Sequence, residues 1–114
     1  MSAGRPYTPG YRAGPWLIVS GQTGSKDDSL VRGGFPAEFQ QALDNVKHII
    51  EEAGLTLASV GKVTIYLTDM FDYVRMNAVY SDFFDLHKPA RTTVAVAGLP
   101  RNASVEVEAW AYGG

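Results

Sequence analysis

A chain of 114 residues with 46% hydrophobic and 19% charged side chains has the size and make-up of one globular domain spanning residues 1–114, with a modest core. Its formal net charge of -2 and its scattered Lys and Arg residues give no basic stripe, which argues against a nucleic-acid binder. The absence of cysteine excludes a disulfide, a thiolate nucleophile and a cysteine metal site.

No apolar run reaches the ~18 residues of a membrane span or forms a signal-peptide core, so the cytoplasm is the default expectation. Residues 1–5 are small and polar and read as a fraying end. Residues 7–12 hold Pro9 and Gly10, so a strand there is short or bent, and Gly14-Pro15 marks a turn. Residues 16–20 read as a strand, with Trp16, Ile18 and Ser20 on one face and Leu17 and Val19 on the other. Residues 21–34 are polar and Gly-rich and read as a mobile loop. Its glycines lack the Lys-Ser/Thr ending of a phosphate cradle.

The clearest helix covers residues 35–53. Phe35, Phe39, Ala42, Leu43, Val46, Ile49, Ile50 and Ala53 recur at steps of three and four. Pro36 suits its first turn and Gly54 its C-terminal cap. His48 lies beside the apolar stripe without a ligand partner at helical spacing, which favours a structural or solvated histidine. Residues 60–68 alternate as a strand, Val63, Ile65 and Leu67 opposing Lys62, Thr64, Tyr66 and Thr68. Asp69 is placed to cap a second helix over residues 70–87. That helix has a stripe of Tyr73, Met76, Asn77, Tyr80, Phe83 and Phe84. Asn77 is the polar member of an aromatic stripe. It either makes a hydrogen bond within the core or lines a pocket.

Pro89 starts a β-branched strand, residues 92–96, because proline is not accommodated inside a central ladder. Arg91 therefore stands at a strand mouth, where its planar fork fits a carboxylate or phosphate, unless it is an ordinary surface arginine. Residues 103–112 form the last strand. Val105, Val107, Ala109 and Ala111 make an apolar seat for the helices. Ser104, Glu106, Glu108, Trp110 and Tyr112 make the other face. Two acids beside two large aromatics suit neither solvent nor a private core, and such a face is often covered by another subunit. The whole reads as an α+β domain, with helices on one face of an antiparallel-rich sheet and a second face needing cover.

The run PARTTVAVAGLP at 89–100, followed by ASVEVEAWA at 103–111, resembles the C-terminal signature of the RidA (YjgF) family of enamine/imine deaminases. PYTPGYRAGPWLIVSGQ resembles the family's N-terminal strands, and the block from Ala42 to Phe84 its central helix–strand–helix. The resemblance implies a chorismate-mutase-like sandwich, a mixed sheet with two helices on one face. It further implies a homotrimer with sites between subunits, and hydrolysis of 2-imino acids without cofactor or metal. Position by position, Arg91 matches the carboxylate-binding arginine and Glu106 the acid that orients or activates water. Tyr7, Ser20 and Asn77 match pocket residues, although Thr8-Pro9 departs from the usual pair after Tyr7, and Ser20 also fits a backbone-bonded role. Thr93 stands where many members carry cysteine, and Thr23-Gly24-Ser25 replaces a more apolar loop. The implied function is a 2-iminobutanoate/2-iminopropanoate deaminase. The alternatives are a relative acting on another imine or enamine such as an aminoacrylate, a non-catalytic small-ligand regulator, and, least favoured, an endoribonuclease.

Overall fold

The alternations and stripes in the chain become faces and seams in the computed structural model, which describes residues 4–114. Most of the terminal segment expected to fray, residues 1–3, lies outside the described residues. The strands are β1 (Gly10–Ala13), β2 (Trp16–Thr23), β3 (Ser25–Lys26), β4 (Ser29–Leu30), β5 (Val60–Leu67), β6 (Ala90–Ala95) and β7 (Val105–Tyr112). The helices are α1 (Gly34–Glu52) and α2 (Tyr73–Phe84). One sheet of five strands runs in the order β1-β2-β7-β5-β6. All its neighbours are antiparallel except β5 and β6, which are parallel. A parallel pair needs a crossover, and α2 supplies it.

Both helices cover the same face. Phe35, Phe39, Leu43, Val46 and Ile50 of α1 and Met76, Tyr80 and Phe84 of α2 are buried against Leu17, Val19, Val63, Ile65, Val105 and Val107 of the sheet. This is the expected mixed-sheet sandwich, with the alternating apolar face of β7 as its floor. The opposite face is bare. Tyr11, Trp110 and Tyr112 stay 63%, 40% and 51% exposed. Trp16 packs edge-on between Trp110 at 6.0 Å and Tyr112 at 5.1 Å.

Several boundaries differ from the expectation, among them the last strand, which starts at Val105 and not at 103. Residues 21–34 are not one loop: β2 runs on to Thr23, and β3 and β4 form a small hairpin. Asp27 and Asp28 take φ of 54° and 67° at its tip, the conformation of tight hairpin turns, which short polar side chains tolerate. Asn45 of α1 donates to the carbonyls of Thr23 at 3.1 Å and Ser25 at 2.9 Å. Gly24 lies so close to α1 that a Cβ there would collide with the Glu38 backbone. The second helix is also shorter than expected. A single 3-10 turn, Met70–Asp72, precedes it, with Asp69 accepting from the Phe71 N–H at 2.9 Å. Helix α2 stops at Phe84 because Asp85 takes φ 57°. Strand β6 begins at Ala90, directly after Pro89, two residues earlier than its composition suggested.

Candidate active site

Strand register decides where each proposed site residue points. Arg91 pairs with Val63 and Thr93 with Ile65, and both partners belong to the buried core. Arg91 and Thr93 therefore face the helices, at the edge of the sheet. There, Tyr73, Asn77 and Tyr80 recur at steps of four and three on α2, one side of the helix. The Arg91 guanidinium lies 4.8 Å above the Tyr80 ring and 5.8 Å from the Tyr73 ring, and donates to the Tyr73 hydroxyl at 3.3 Å. Arg91 is half-buried. Among the described residues it forms no ion pair, so an aromatic bracket, and not an acid, holds it. Asn77, half-buried, stands on the stripe between the two tyrosines. A cavity of about 230 Å³ opens beside Arg91 and Tyr80.

The second group lies across the sheet. Glu106 pairs with Tyr66 on one side and Thr23 on the other, which puts it on the bare face. Strand β2 has an irregular register between Val19 and Gln22, and Gly21 sits there. A Cβ on Gly21 would fall 2.5 Å from Glu106 Oε2. The absence of a side chain is what lets the carboxylate rest on the bulged backbone. Burial pushes the Glu106 carboxyl above the ordinary carboxylate range, and the charge of Glu108 adds to this. The Tyr66 hydroxyl donates to Glu108 Oε1. That bond, then burial, then the two glutamate charges raise the Tyr66 phenol to about 12, so it remains a donor at neutral pH.

Ser20 and Tyr7 belong to this second side. The Ser20 hydroxyl donates to the Thr8 carbonyl at 2.6 Å, and its N–H to the Pro9 carbonyl at 2.8 Å. Its proton is used to hold the segment carrying Tyr7 along β2, which is the backbone-bonded role. Tyr7 is exposed, with the Arg5 guanidinium 5.8 Å from its ring, and it shares a polar cavity with Gly21, Gln22 and Thr23. His48 lies on the exposed side of α1, 3.4 Å from Glu52, a solvated histidine. Among the described residues no three metal-ligating side chains converge.

The structure thus gathers Arg91, Thr93 and Asn77 in one half and Glu106, Ser20 and Tyr7 in the other. Arg91 and Glu106 lie on opposite faces and two strand spacings apart, about 10 Å laterally. They cannot meet around one small molecule within a single chain. Sequence reasoning missed Tyr73 and Tyr80 as the bracket of Arg91, because an aromatic stripe on a helix reads as core. It missed Gly21 and Tyr66 because neither carries a signal without the register.

The chain and its fold resemble known proteins. The endoribonuclease L-PSP family model matches residues 1–113. The chain is 42% identical over 109 residues to a RutC family protein of Pyrococcus horikoshii, covering 94% of this chain and 86% of that protein. It is 39% identical over 108 residues to the 2-iminobutanoate/2-iminopropanoate deaminase of Escherichia coli K12, covering 91% of this chain and 84% of that one. Among solved structures, E. coli TdcF with bound serine superposes with a TM-score of 0.91 at 34% identity, covering 98% of this chain and 91% of that one.

Proposed function

The chain belongs to the RidA/YjgF family, the one described by the endoribonuclease L-PSP model, and from that premise we propose that it is a 2-iminobutanoate/2-iminopropanoate deaminase working as a homotrimer. The observation that carries the reading is the pair of half-sites. A guanidinium without an acid partner among the described residues stands at one sheet edge, and a half-buried carboxylate of raised proton affinity stands on the bare opposite face. Three-fold closure brings the bare face of one subunit against the β6 edge of the next, covering Trp110 and Tyr112 and completing the site. The deaminase named above is 39% identical to this chain over 108 aligned residues. The serine bound by TdcF is a small α-amino acid with the carboxylate such a guanidinium would take.

In this reading Arg91 takes the carboxylate of the 2-imino acid through two parallel hydrogen bonds and fixes the C2 carbon. Glu106 of the neighbouring subunit accepts a proton from water as the water oxygen bonds to C2. That proton passes to the imine-derived nitrogen of the tetrahedral adduct. Glu106 then carries the adduct's hydroxyl proton to the same nitrogen, the C–N bond breaks with its electron pair leaving on ammonia, and the oxygen closes to the 2-oxo carbonyl. A carboxyl with raised proton affinity suits both halves of this shuttle. Asn77 lines the Arg91 half of the pocket. Tyr7 and Ser20 shape the Glu106 half.

The test is release of pyruvate and ammonia from iminopropanoate generated in situ by a PLP-dependent dehydratase. Acceleration over the uncatalysed hydrolysis is expected. Saturable carboxylate binding without acceleration would replace the reading with a small-ligand regulator. The net charge of -2 and the absence of a basic stripe favour the imine over RNA.

A further inference from the structure

Among the described residues, two buried side-chain polar atoms have no hydrogen-bonding partner, the Tyr80 hydroxyl and Thr93 Oγ1. Buried hydroxyls are normally paired, so an orphan calls for an explanation. Both orphans flank the same group. Thr93 follows Arg91 by two residues on β6, which puts it on the same face of the strand. The Tyr80 ring lies 4.8 Å beneath the Arg91 guanidinium. A guanidinium has no acceptor to offer, and both hydroxyls can donate. An acceptor within reach of the three would satisfy both hydroxyls, and the positive charge of Arg91 selects an anionic one.

We propose that the Tyr80 and Thr93 hydroxyls donate hydrogen bonds to the anion that Arg91 captures, which makes Tyr80 a ligand-binding residue and not only a core aromatic. The cavity shared by Tyr80 and Arg91 encloses about 230 Å³. This is below the range of drug-sized pockets and fits a short-chain 2-oxo or 2-imino acid. Lys88 on its wall adds positive charge, the His87 ring is tied to the Val60 carbonyl at 2.6 Å, and Asp85 is its one acid. Burial holds the Tyr80 phenol above its ordinary range, against a smaller opposing pull from the Arg91 charge. It therefore stays protonated and able to donate at neutral pH. The place of the ligand rests on the deaminase reading, but its binding can be measured without turnover.

The experiment titrates pyruvate into wild type, Tyr80→Phe, Thr93→Val and the double variant by NMR or calorimetry, with melting and oligomeric state measured on the same samples. A hydrogen bond to a charged group is lost in each single variant, so pyruvate binding weakens roughly tenfold or more in each and further in the double. Melting stays at or above wild type, because each substitution removes an unpaired buried hydroxyl. Wild-type affinity in both single variants would overturn the proposal, as would a Tyr80→Phe protein that loses its fold or assembly, since the hydroxyl would then be structural. No saturable pyruvate binding to wild type would overturn it too. Wild type that binds pyruvate but leaves iminopropanoate untouched would remove the deaminase reading and leave Tyr80 in its role.

Discussion

Arg91 and Glu106 stand on opposite faces of one five-stranded sheet, Arg91 in register with core Val63 and Glu106 in register with Tyr66 on the bare side. A ligand that needs both must take them from two chains. Light scattering should therefore report a trimer at micromolar concentration. Arg91→Ala and Glu106→Gln should each be inactive alone. Unfolded together and refolded as a mixture, they should regain activity at about a quarter of the sites, those where an intact Arg91 meets an intact Glu106 across an interface. A mixture as dead as its parents would place both groups in one chain's site and contradict the register.

Arg91 should not tolerate a conservative change. Lysine keeps the charge and loses the planar fork, together with the stacking on Tyr80. Losing two charge-assisted bonds of about 1.5–3 kcal/mol each would lower kcat/KM by roughly two to four orders of magnitude, with alanine worse than lysine. Normal hydrolysis by folded, trimeric Arg91→Lys would refute the proposed carboxylate grip.

Gly21→Ala isolates the seat of Glu106. The new Cβ would lie 2.5 Å from Glu106 Oε2, and the cheapest relief is rotation of the glutamate away from the bulge. Turnover should fall at least tenfold while melting changes by only a few degrees, a pattern that follows from displacing the tip of one flexible side chain. Full activity would show that the carboxylate position is not critical.

Glu106 and Glu108 should separate by pH. In the proposed mechanism Glu106 acts in its ionised form, so kcat/KM should decline as pH falls through its raised value. Glu108→Gln removes the lesser of the two causes of that rise and leaves burial, the larger. Its acid limb should move to lower pH, with most neutral-pH turnover kept. Glu106→Gln should lose most turnover at every pH. An unmoved acid limb in Glu108→Gln would remove the proposed influence of the second acid.

The same shift has a sign for stability. Folding raises the Glu106 proton affinity, so its contribution is full below the unfolded carboxylate range and is lost as pH rises through the folded value. At neutral pH the ionised, half-buried group opposes folding. Glu106→Gln should therefore melt higher than wild type at pH 7, and the gain should shrink as pH falls below that folded value. Thermal melts of both proteins across the acid range check this.

Much of this molecule was written in its sequence. The steps of three and four from Phe35 to Ala53 required α1. The strict alternation of Val105, Val107, Ala109 and Ala111 decided which side of β7 is core, because a two-residue period with one wholly apolar set has a single burial solution. The acids and aromatics between them marked the face that the helices leave bare, and the motifs around Arg91 and Glu106 identified the family. Strand β6 shows where such reading stops. Ala90, Thr92 and Val94 alternate with Arg91, Thr93 and Ala95, and neither set is apolar enough to say which faces the helices. Only the parallel register with β5 turned Arg91 toward Tyr80 and away from Glu106. The seat of Glu106 on Gly21 was equally unreadable, because the bulge in β2 exists only once β7 is paired beside it. Periodicity is a property of one strand, and local sequence carries it. The choice between two mixed faces is made by neighbours distant in the chain, through hydrogen-bond register and packing, so tertiary structure alone set Arg91 and Glu106 on opposite faces.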